Sequence, residues 1–564
     1  MASFAFKIKK MTLSKIFNSV SSKEWRFVWV VGGVVVILTT LPYLYGYLVS
    51  SDYFLWSSYT NAGDVSVYLS LMEQASQGKF FLANLYTNDL AYSLMVQPFW
   101  LFLGLLVKLS HLPKIFIYQA ARIIFGFWLL AFLYLFLAYF IKDIWQRKIG
   151  FLLLAFGSGI GAFLHPLFIE FGSRLTGLEI INQISADLFL PELNIFVNIF
   201  HSPLLPAALL VELLIFYLFI NSNLKLNHWL TSGLFLLVLF LGFFHPYDLI
   251  TVFFVCSFFV LTLWCFRLLT KQKIADLKPL LLRLGIIFSA FGVVFIYYLI
   301  LFRFDPFFPV WNQTNFTESP PFFRLLTGYG LIFVFALAGI CFWPKKNDWK
   351  FVFLLSWLFI NLFLAYLPFS QQRRVLSTVF IPLVILATLG AVKFLDLFFS
   401  RIKAKAIPYL IVVFLFLILA LSNISVLASN LIFYQRHDSA FYFPASFYQA
   451  ALWLKAKPPS TILATPKVAN PLPAITGDRV YIGHLHQTVN YDQKLAGLKW
   501  FFENNEIDNQ KEAWLAAQKI DFIFYTKYEK SLGDFQPAQK SYLKLVYQNP
   551  EVEIYQVYPV RNPE

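Results

Sequence analysis

Long apolar runs separated by short polar breaks occupy most of this chain, and the pattern changes only near its end. Runs near 27–49, 90–108, 114–140, 149–169, 203–220, 229–245, 249–266, 283–302, 326–343, 350–367, 375–398 and 407–429 approach the about 20 apolar residues that a bilayer-crossing helix needs. From about Tyr434 onward, ordinary charge and shorter periodicities return. Ser446–Lys455, Gln493–Phe502 and Gln510–Gln518 read as helices, and Lys519–Tyr525, Leu543–Tyr547 and Val552–Val557 as strands. The pattern predicts an all-α polytopic membrane domain followed by a small soluble α/β domain. The expected boundaries are 1–26 for a cytoplasmic N-terminus, 27–433 for the membrane domain and 434–564 for the soluble one.

Charge placement orients this plan. Lys7, Lys9, Lys10, Lys15, Lys23 and Arg26 precede the first apolar run, which lacks a small-residue cleavage site and reads as an uncleaved signal-anchor. Further basic clusters are Lys142/Arg147/Lys148, Arg267/Lys271/Lys273, Lys345/Lys346/Lys350 and Arg401/Lys403/Lys405. Cytoplasmic loops carry the excess of Lys and Arg. All four clusters fall inside only if one early run does not cross. The run 90–108, interrupted by Gln97-Pro98, is expected to be re-entrant or interfacial, its broken backbone satisfied by protein. About eleven crossings and an external C-terminus follow. The loops then sort by character. Those inside are short and basic, whereas 50–89, 170–202, His245–Asp248, 303–325 and 368–374 hold acids, histidines and prolines on the outside.

Composition agrees. Of 564 residues 59% are hydrophobic and only 13% charged, with 67 Phe, 29 Tyr and 15 Trp, a bias suited to lipid-facing helices and interfacial belts. The net charge of +15 is spread over loops between apolar runs. It therefore reads as topology signal and as contact with anionic membrane lipids, not as a nucleic-acid surface. Cys256, Cys265 and Cys341 show neither ligand nor disulfide spacing and are expected to be buried small hydrophobes.

The first external loop, 50–89, is the most informative stretch. Asp64 follows Gly63 and opens a helical pattern, so it is expected to be an N-cap. Tyr68 lies four residues on and shares its face. Leu69, Met72 and Ala75–Ser76 form one apolar side, which predicts a helix lying at the membrane interface, and Gly78 ends it.

One span, then Asp-x-x-x-Tyr (Asp64, Tyr68), then an amphipathic helix ending in Gly resembles the GT-C glycosyltransferases, the superfamily of protein O-mannosyltransferases and aminoarabinose transferases. Tyr86-Thr87-Asn88 and Gln97-Pro98 are similar to the aromatic and Pro-containing stretch that follows in those enzymes. The match in specific residues is confined to about 50–110, although the overall plan of spans plus an external C-terminal domain agrees. Relatives often carry an Asp-Glu pair where this chain has Asp64-Val65, so a second acid would come from elsewhere.

The resemblance implies sugar transfer from a polyprenyl-phosphate donor to a hydroxyl of a protein, lipid or glycan acceptor. Phosphate is already a good leaving group, so the needs are a base for the acceptor and a cation for the departing phosphate. Asp64 is the expected general base. Arg373 and Arg374 precede a late span on the external side, against the positive-inside trend, and guanidinium suits phosphate. The alternative for that pair is snorkelling to lipid headgroups.

His201, in Asn198-Ile-Phe-His201-Ser-Pro203, and His245, in His245-Pro246-Tyr247-Asp248, stand at predicted external helix ends. With Asp248 or Glu192 they could bind a metal or position the sugar, or they are satisfied interfacial histidines; His165 has less acid nearby. Asp187 or Glu192 could supply the second acid. In the soluble domain, the stretch Ala474–Gln487 reads as a turn at Gly477, a short strand and a loop carrying His484 and His486. That loop either touches acceptor or is structural. No cofactor is assigned with certainty; a divalent cation, Mg or Mn, is compatible with the chemistry.

Two other classes compete. A flippase or transporter of lipid-linked sugars would carry charges within its spans or internal symmetry; here the spans are nearly charge-free and no repeat is visible. A glycan polymerase or ligase on another multi-span fold would place its catalytic groups in a late external loop. The resemblance places the protein in a bacterial inner membrane with the C-terminal domain outside.

Overall fold

A computed structural model describes residues 20–89, 93–164, 185–221, 227–271, 277–305, 307–314, 316–343, 348–399 and 406–558. Lys7, Lys9, Lys10, Lys15, His165, Lys273, Lys345, Lys346, Arg401, Lys403 and Lys405 lie outside the described residues. Among the described residues seven helices are long and apolar enough to cross a membrane: Ser22–Leu48, Lys114–Phe140, Pro246–Leu269, Lys278–Phe304, Phe322–Phe342, Phe380–Leu397 and Val413–Gln435. The shorter apolar helices Pro98–Ser110, Leu204–Ile220, His228–Phe244 and Trp349–Leu364 accompany them. This is a multi-pass membrane protein.

Among the described residues of the expected segment 90–108, the helix begins at Pro98, which occupies its first turn where a missing N–H costs nothing. Its 13 residues reach about 20 Å, short of the roughly 30 Å hydrocarbon core. The expected segment 149–169 is not one helix. It ends at Phe156, and extended Gly157 donates its N–H to Leu153 O at 2.8 Å. Of the three cysteines only Cys256 is buried; Cys265 and Cys341 are exposed on apolar helices whose outer faces suit lipid.

The chain divides into two compact units, one of Met1–Pro42, Ala120–Tyr297 and Thr317–Ser429, the other of Tyr43–Gln119, Tyr298–Phe316 and Asn430–Glu564. In the first unit, helices Phe322–Phe342 and Phe380–Phe399 pack through glycine. A Cβ at Gly339 would fall 1.9 Å from Leu386 O, and one at Gly390 would fall 2.0 Å from Phe335 O. Small residues permit this backbone approach where no hydrophobic force drives helices together.

The second unit is built on a sheet. Strands Tyr53–Phe54 (β1) and Tyr442–Phe443 (β2) form an antiparallel pair. Thr461–Leu463 (β3), Arg479–Val480 (β4), Phe522–Tyr525 (β5), Leu543–Gln548 (β6) and Glu553–Val557 (β7) form a five-stranded sheet in the order β4-β3-β5-β7-β6. β3 is parallel to β4 and β5, and β7 is antiparallel to β5 and β6. Alternation sends Ile462, Phe522, Phe524 and Ile554 to one core, and Leu463, Ile523, Tyr525 and Tyr555 to the other. Helix Ala445–Lys455 covers the first face with Phe447, Ala450, Ala451 and Leu454, the spacing of one helical stripe. Helices Tyr491–Glu503 and Asp508–Ala517 cover the second with Leu498, Phe501, Phe502 and Leu515. Tyr86 from the first long loop is buried within the first core.

Candidate active site

The helix of the first loop runs Asp64–Ser76, with Gln77 at its C-cap and Gly78 beyond it at φ 88°. Asp64 is its first residue and not its cap. Gly63 occupies the cap at φ 96°, a left-handed conformation that favours glycine and offers no side-chain cap. The apolar side expected at the membrane interface is covered by protein: Met72 and Leu69 are buried, and a Cβ at Gly104 of the Pro98–Ser110 helix would fall 2.3 Å from the Ala75 Cβ.

Released from capping, the Asp64 carboxylate meets a histidine. His484 Nε2 lies 3.0 Å from Asp64 Oδ1, with the Asp64 side chain 38% exposed and that of His484 10%. The backbone N–H of His486 donates to His484 Nδ1 at 3.2 Å. An Nδ1 that accepts carries no proton, so the neutral ring holds its proton on Nε2 and donates it to Asp64. The loop that carries the ring is fastened by several bonds. Gly483 N–H donates to Thr488 Oγ1 at 3.1 Å, Thr488 Oγ1 donates to Tyr86 O at 2.9 Å, and Asn84 Nδ2 donates to Gln487 O at 2.6 Å. Tyr86 stands edge-on to the imidazole, with ring centroids 6.2 Å apart. Tyr68 stacks on Trp100 at 4.7 Å. That stack fixes the ring on the same helix as Asp64.

The same helix carries an ion cluster absent from the sequence reading. Glu73 pairs with Lys114 and, at 2.9 Å, with Lys455; Lys114 Nζ also donates to Ala474 O. Burial alone would raise the Glu73 carboxyl, but the two ammonium groups outweigh it and hold the group below the usual carboxylate range.

A second polar group forms in the other unit. Arg374 donates to Glu192 Oε1 at 2.9 Å and Arg373 Nε donates to the same oxygen at 3.3 Å. The Glu192 side chain is 1% exposed, the arginines 20% and 25%. Burial would raise Glu192, yet the two guanidiniums prevail and keep it below the ordinary range. Glu192 Oε2 is buried with no hydrogen-bond partner. The arginines stand on the 3-10 turn Gln372–Thr378, just before the helix Phe380–Phe399. Arg373 N–H donates to Thr317 O at 3.0 Å, and Thr317 N–H to Ser370 O at 2.7 Å, which ties down the turn.

His201 is buried at the end of helix Ile195–His201, close enough to Glu192 to act on its charge. His245 Nδ1 lies 3.0 Å from Asp248 Oδ2 without hydrogen-bond alignment, and Ser377 Oγ donates to Asp248 Oδ1 at 3.2 Å. Glu212, which the sequence reading passed over as part of an apolar run, is fully buried within electrostatic reach of Asp248. Asp187 accepts from Ser185 Oγ at 2.6 Å and from Gly161 N–H at 3.1 Å, so it holds a turn. Among the described residues no group of three or more His, Cys, Asp or Glu side chains is placed to hold a metal ion.

No protein-family model matches the sequence, and no curated protein matches it. Solved structures do. The archaeal oligosaccharyltransferase AglB from Archaeoglobus fulgidus, in complex with an inhibitory peptide and a dolichol-phosphate, is similar at TM-score 0.50 and 12% identity, over 90% of this chain and 70% of that one. The chain has the GT-C fold. The A. fulgidus oligosaccharyltransferase tethered to an acceptor peptide gives TM-score 0.49 and 13% identity over 96% and 75% of the two chains. ArnT from Cupriavidus metallidurans, bound to undecaprenyl phosphate, gives 0.49 and 10% over 96% and 100%. Within this GT-C fold, the helix that begins at Asp64 follows the first long apolar helix, Ser22–Leu48.

Proposed function

We propose that this protein is an inverting glycosyltransferase that moves a sugar from a polyprenyl-phosphate donor to an acceptor hydroxyl on the external face of the membrane. The observation that carries the reading is the Asp64 carboxylate, partly exposed and oriented by a donated proton from His484. In the reaction, the acceptor oxygen attacks the anomeric carbon from the side opposite the phosphate. The bond from that carbon to the phosphate oxygen breaks with its electron pair, the configuration inverts, and Asp64 takes the hydroxyl proton. The lipid leaves as a phosphate monoester. A weak base suffices, because attack is helped by a leaving group that needs no protonation.

Arg373 and Arg374 offer cationic donors of the kind that suit a lipid phosphate. The occurrence of dolichol-phosphate in the AglB complex supports a lipid phosphate as the ligand class. Sugar release from a panel of undecaprenyl-phosphate sugars, by protein in lipid nanodiscs and by its Asp64→Asn variant, tests the reading. Release that persists in the variant removes Asp64 from the reaction.

A further inference from the structure

We propose that a groove in the first unit binds an anionic glycerophospholipid, with an acyl chain against aromatic and leucine side chains and the headgroup phosphate on Arg26. This goes beyond the transfer reading and does not depend on it. Helices Ser22–Leu48, Lys114–Phe140 and Leu204–Ile220 border a cavity of about 730 Å³, within the roughly 300–1,000 Å³ of ligand sites. Trp29, Trp128, Phe132, Leu135 and Leu214 supply its walls, and Arg26 lines it from the start of helix Ser22–Leu48.

Walls and rim differ in chemistry. Trp29 stacks on Trp25 and on Phe127, each time with ring centroids 5.1 Å apart. These contacts pin the indole, yet Trp29 and Trp128 both stay exposed, as indoles do at the membrane interface. The rim is cationic. Lys23 and Arg26 stand three residues apart on one helix face, and both are exposed. Glu24, the acid between them, is turned to the interior. Its carboxylate accepts from Tyr134 Oη at 2.8 Å and from Ser21 N–H at 2.9 Å, and pairs with Arg147 at 3.2 Å. Among the described residues no acid pairs with Lys23 or Arg26. An apolar groove that ends at a guanidinium matches a molecule with hydrocarbon at one end and an anion at the other. The guanidinium offers a fork of donors to phosphate oxygens, and an anionic headgroup brings no cation of its own to oppose it. A protein helix seated here would have to carry a carboxylate to Arg26 along an apolar stripe, which is costly in lipid.

The test places the full chain in nanodiscs of equal phosphatidylglycerol and phosphatidylcholine and identifies retained lipid by native mass spectrometry. Phosphatidylglycerol should be retained over phosphatidylcholine by about fivefold, the effect of one cation beside the headgroup. Arg26→Gln should bring that ratio toward one. Leu214→Trp, which fills the groove from a half-buried position, should remove the retained lipid. Lys142→Gln, the loss of an exposed cation that does not line the groove, should change neither. The wild-type preference should also shrink as ammonium acetate is raised, because salt screens a charge contact at the surface. That series stands where Arg26→Gln does not fold. Equal retention of the two lipids by the wild type overturns the proposal, as does a preference insensitive to salt. A preference that survives in folded Arg26→Gln, or that falls equally in Lys142→Gln, does the same. A lipid-free dimer would give the groove to a second copy of the chain and overturn it too.

Discussion

His484 donates its Nε2 proton to Asp64 Oδ1 across 3.0 Å, although 420 positions separate the two residues. The histidine is in turn held by the backbone N–H of its neighbour His486, so the carboxylate receives its orientation from the C-terminal part of the chain. His484 acts as a positioning residue. His484→Ala should lower kcat by about 10- to 100-fold, the equivalent of the roughly 1.5–3 kcal/mol of a hydrogen bond to a charged group, with donor KM little changed. His484→Gln, whose amide can still donate, should recover part of the rate. Equal losses in both variants, or a change confined to KM, would argue against a positioning role.

Arg373→Gln and Arg374→Gln should each weaken binding of decaprenyl phosphate and of its methyl ester, and each should lower thermal stability, because the buried Glu192 carboxylate keeps only one of its two guanidinium partners. Loss of a guanidinium partner is read in the melting temperature, whereas loss of a charge-assisted phosphate contact is read in lipid affinity. Binding measured by native mass spectrometry separates the two. Unchanged affinity in both variants would return the pair to simple headgroup snorkelling.

Glu73→Gln should destabilise the protein by about 3–5 kcal/mol, the cost of leaving a buried ion pair half-made. The Glu73 carboxyl is held below its ordinary range. Its contribution is therefore complete above the unfolded carboxylate pKa and is lost as pH falls through the depressed folded value. Melting temperatures of wild type and variant should converge toward the acid end of a pH series and diverge above it. A constant gap across that series would contradict the assignment.

Gly339→Leu should separate helices Phe322–Phe342 and Phe380–Phe399, because the Cβ alone meets Leu386 O at 1.9 Å. A loss of several kcal/mol, or failure to recover folded protein, is expected from such overpacking. Size-exclusion profiles and melting curves in detergent provide the check. A wild-type melting curve would show that the helices move apart freely.

Apolar periodicity located the helices well, because length and hydrophobicity are what a span requires. The run 114–140 coincides with helix Lys114–Phe140. The same signal overran Phe156, since an apolar side chain past Gly157 reports burial and says nothing of helix continuity. Strands of two or three residues, such as β1 and β4, are too short to show alternation. Asp64 was legible from its place after the first span. Its partner was not: a lone His-x-His pair becomes informative only when folding brings a carboxylate to it. The assignment of Asp64 as a cap failed because Gly63, at positive φ, occupies that position. Arg373 and Arg374 stood out against the topology rule, whereas their shared partner Glu192 emerged only from the packed turn Pro191–Leu193.

The central claim is that Asp64 accepts the proton in transfer from a lipid phosphate. The most direct test is single-turnover release of sugar from undecaprenyl-phosphate donors in nanodiscs, with wild type and Asp64→Asn compared at equal thermal stability. Release by the wild type that falls by about a thousandfold or more in the variant is the predicted result, within the range general-base catalysis and its associated positioning supply. Equal rates in the two proteins, or passage of intact donor across the bilayer without release, would contradict it.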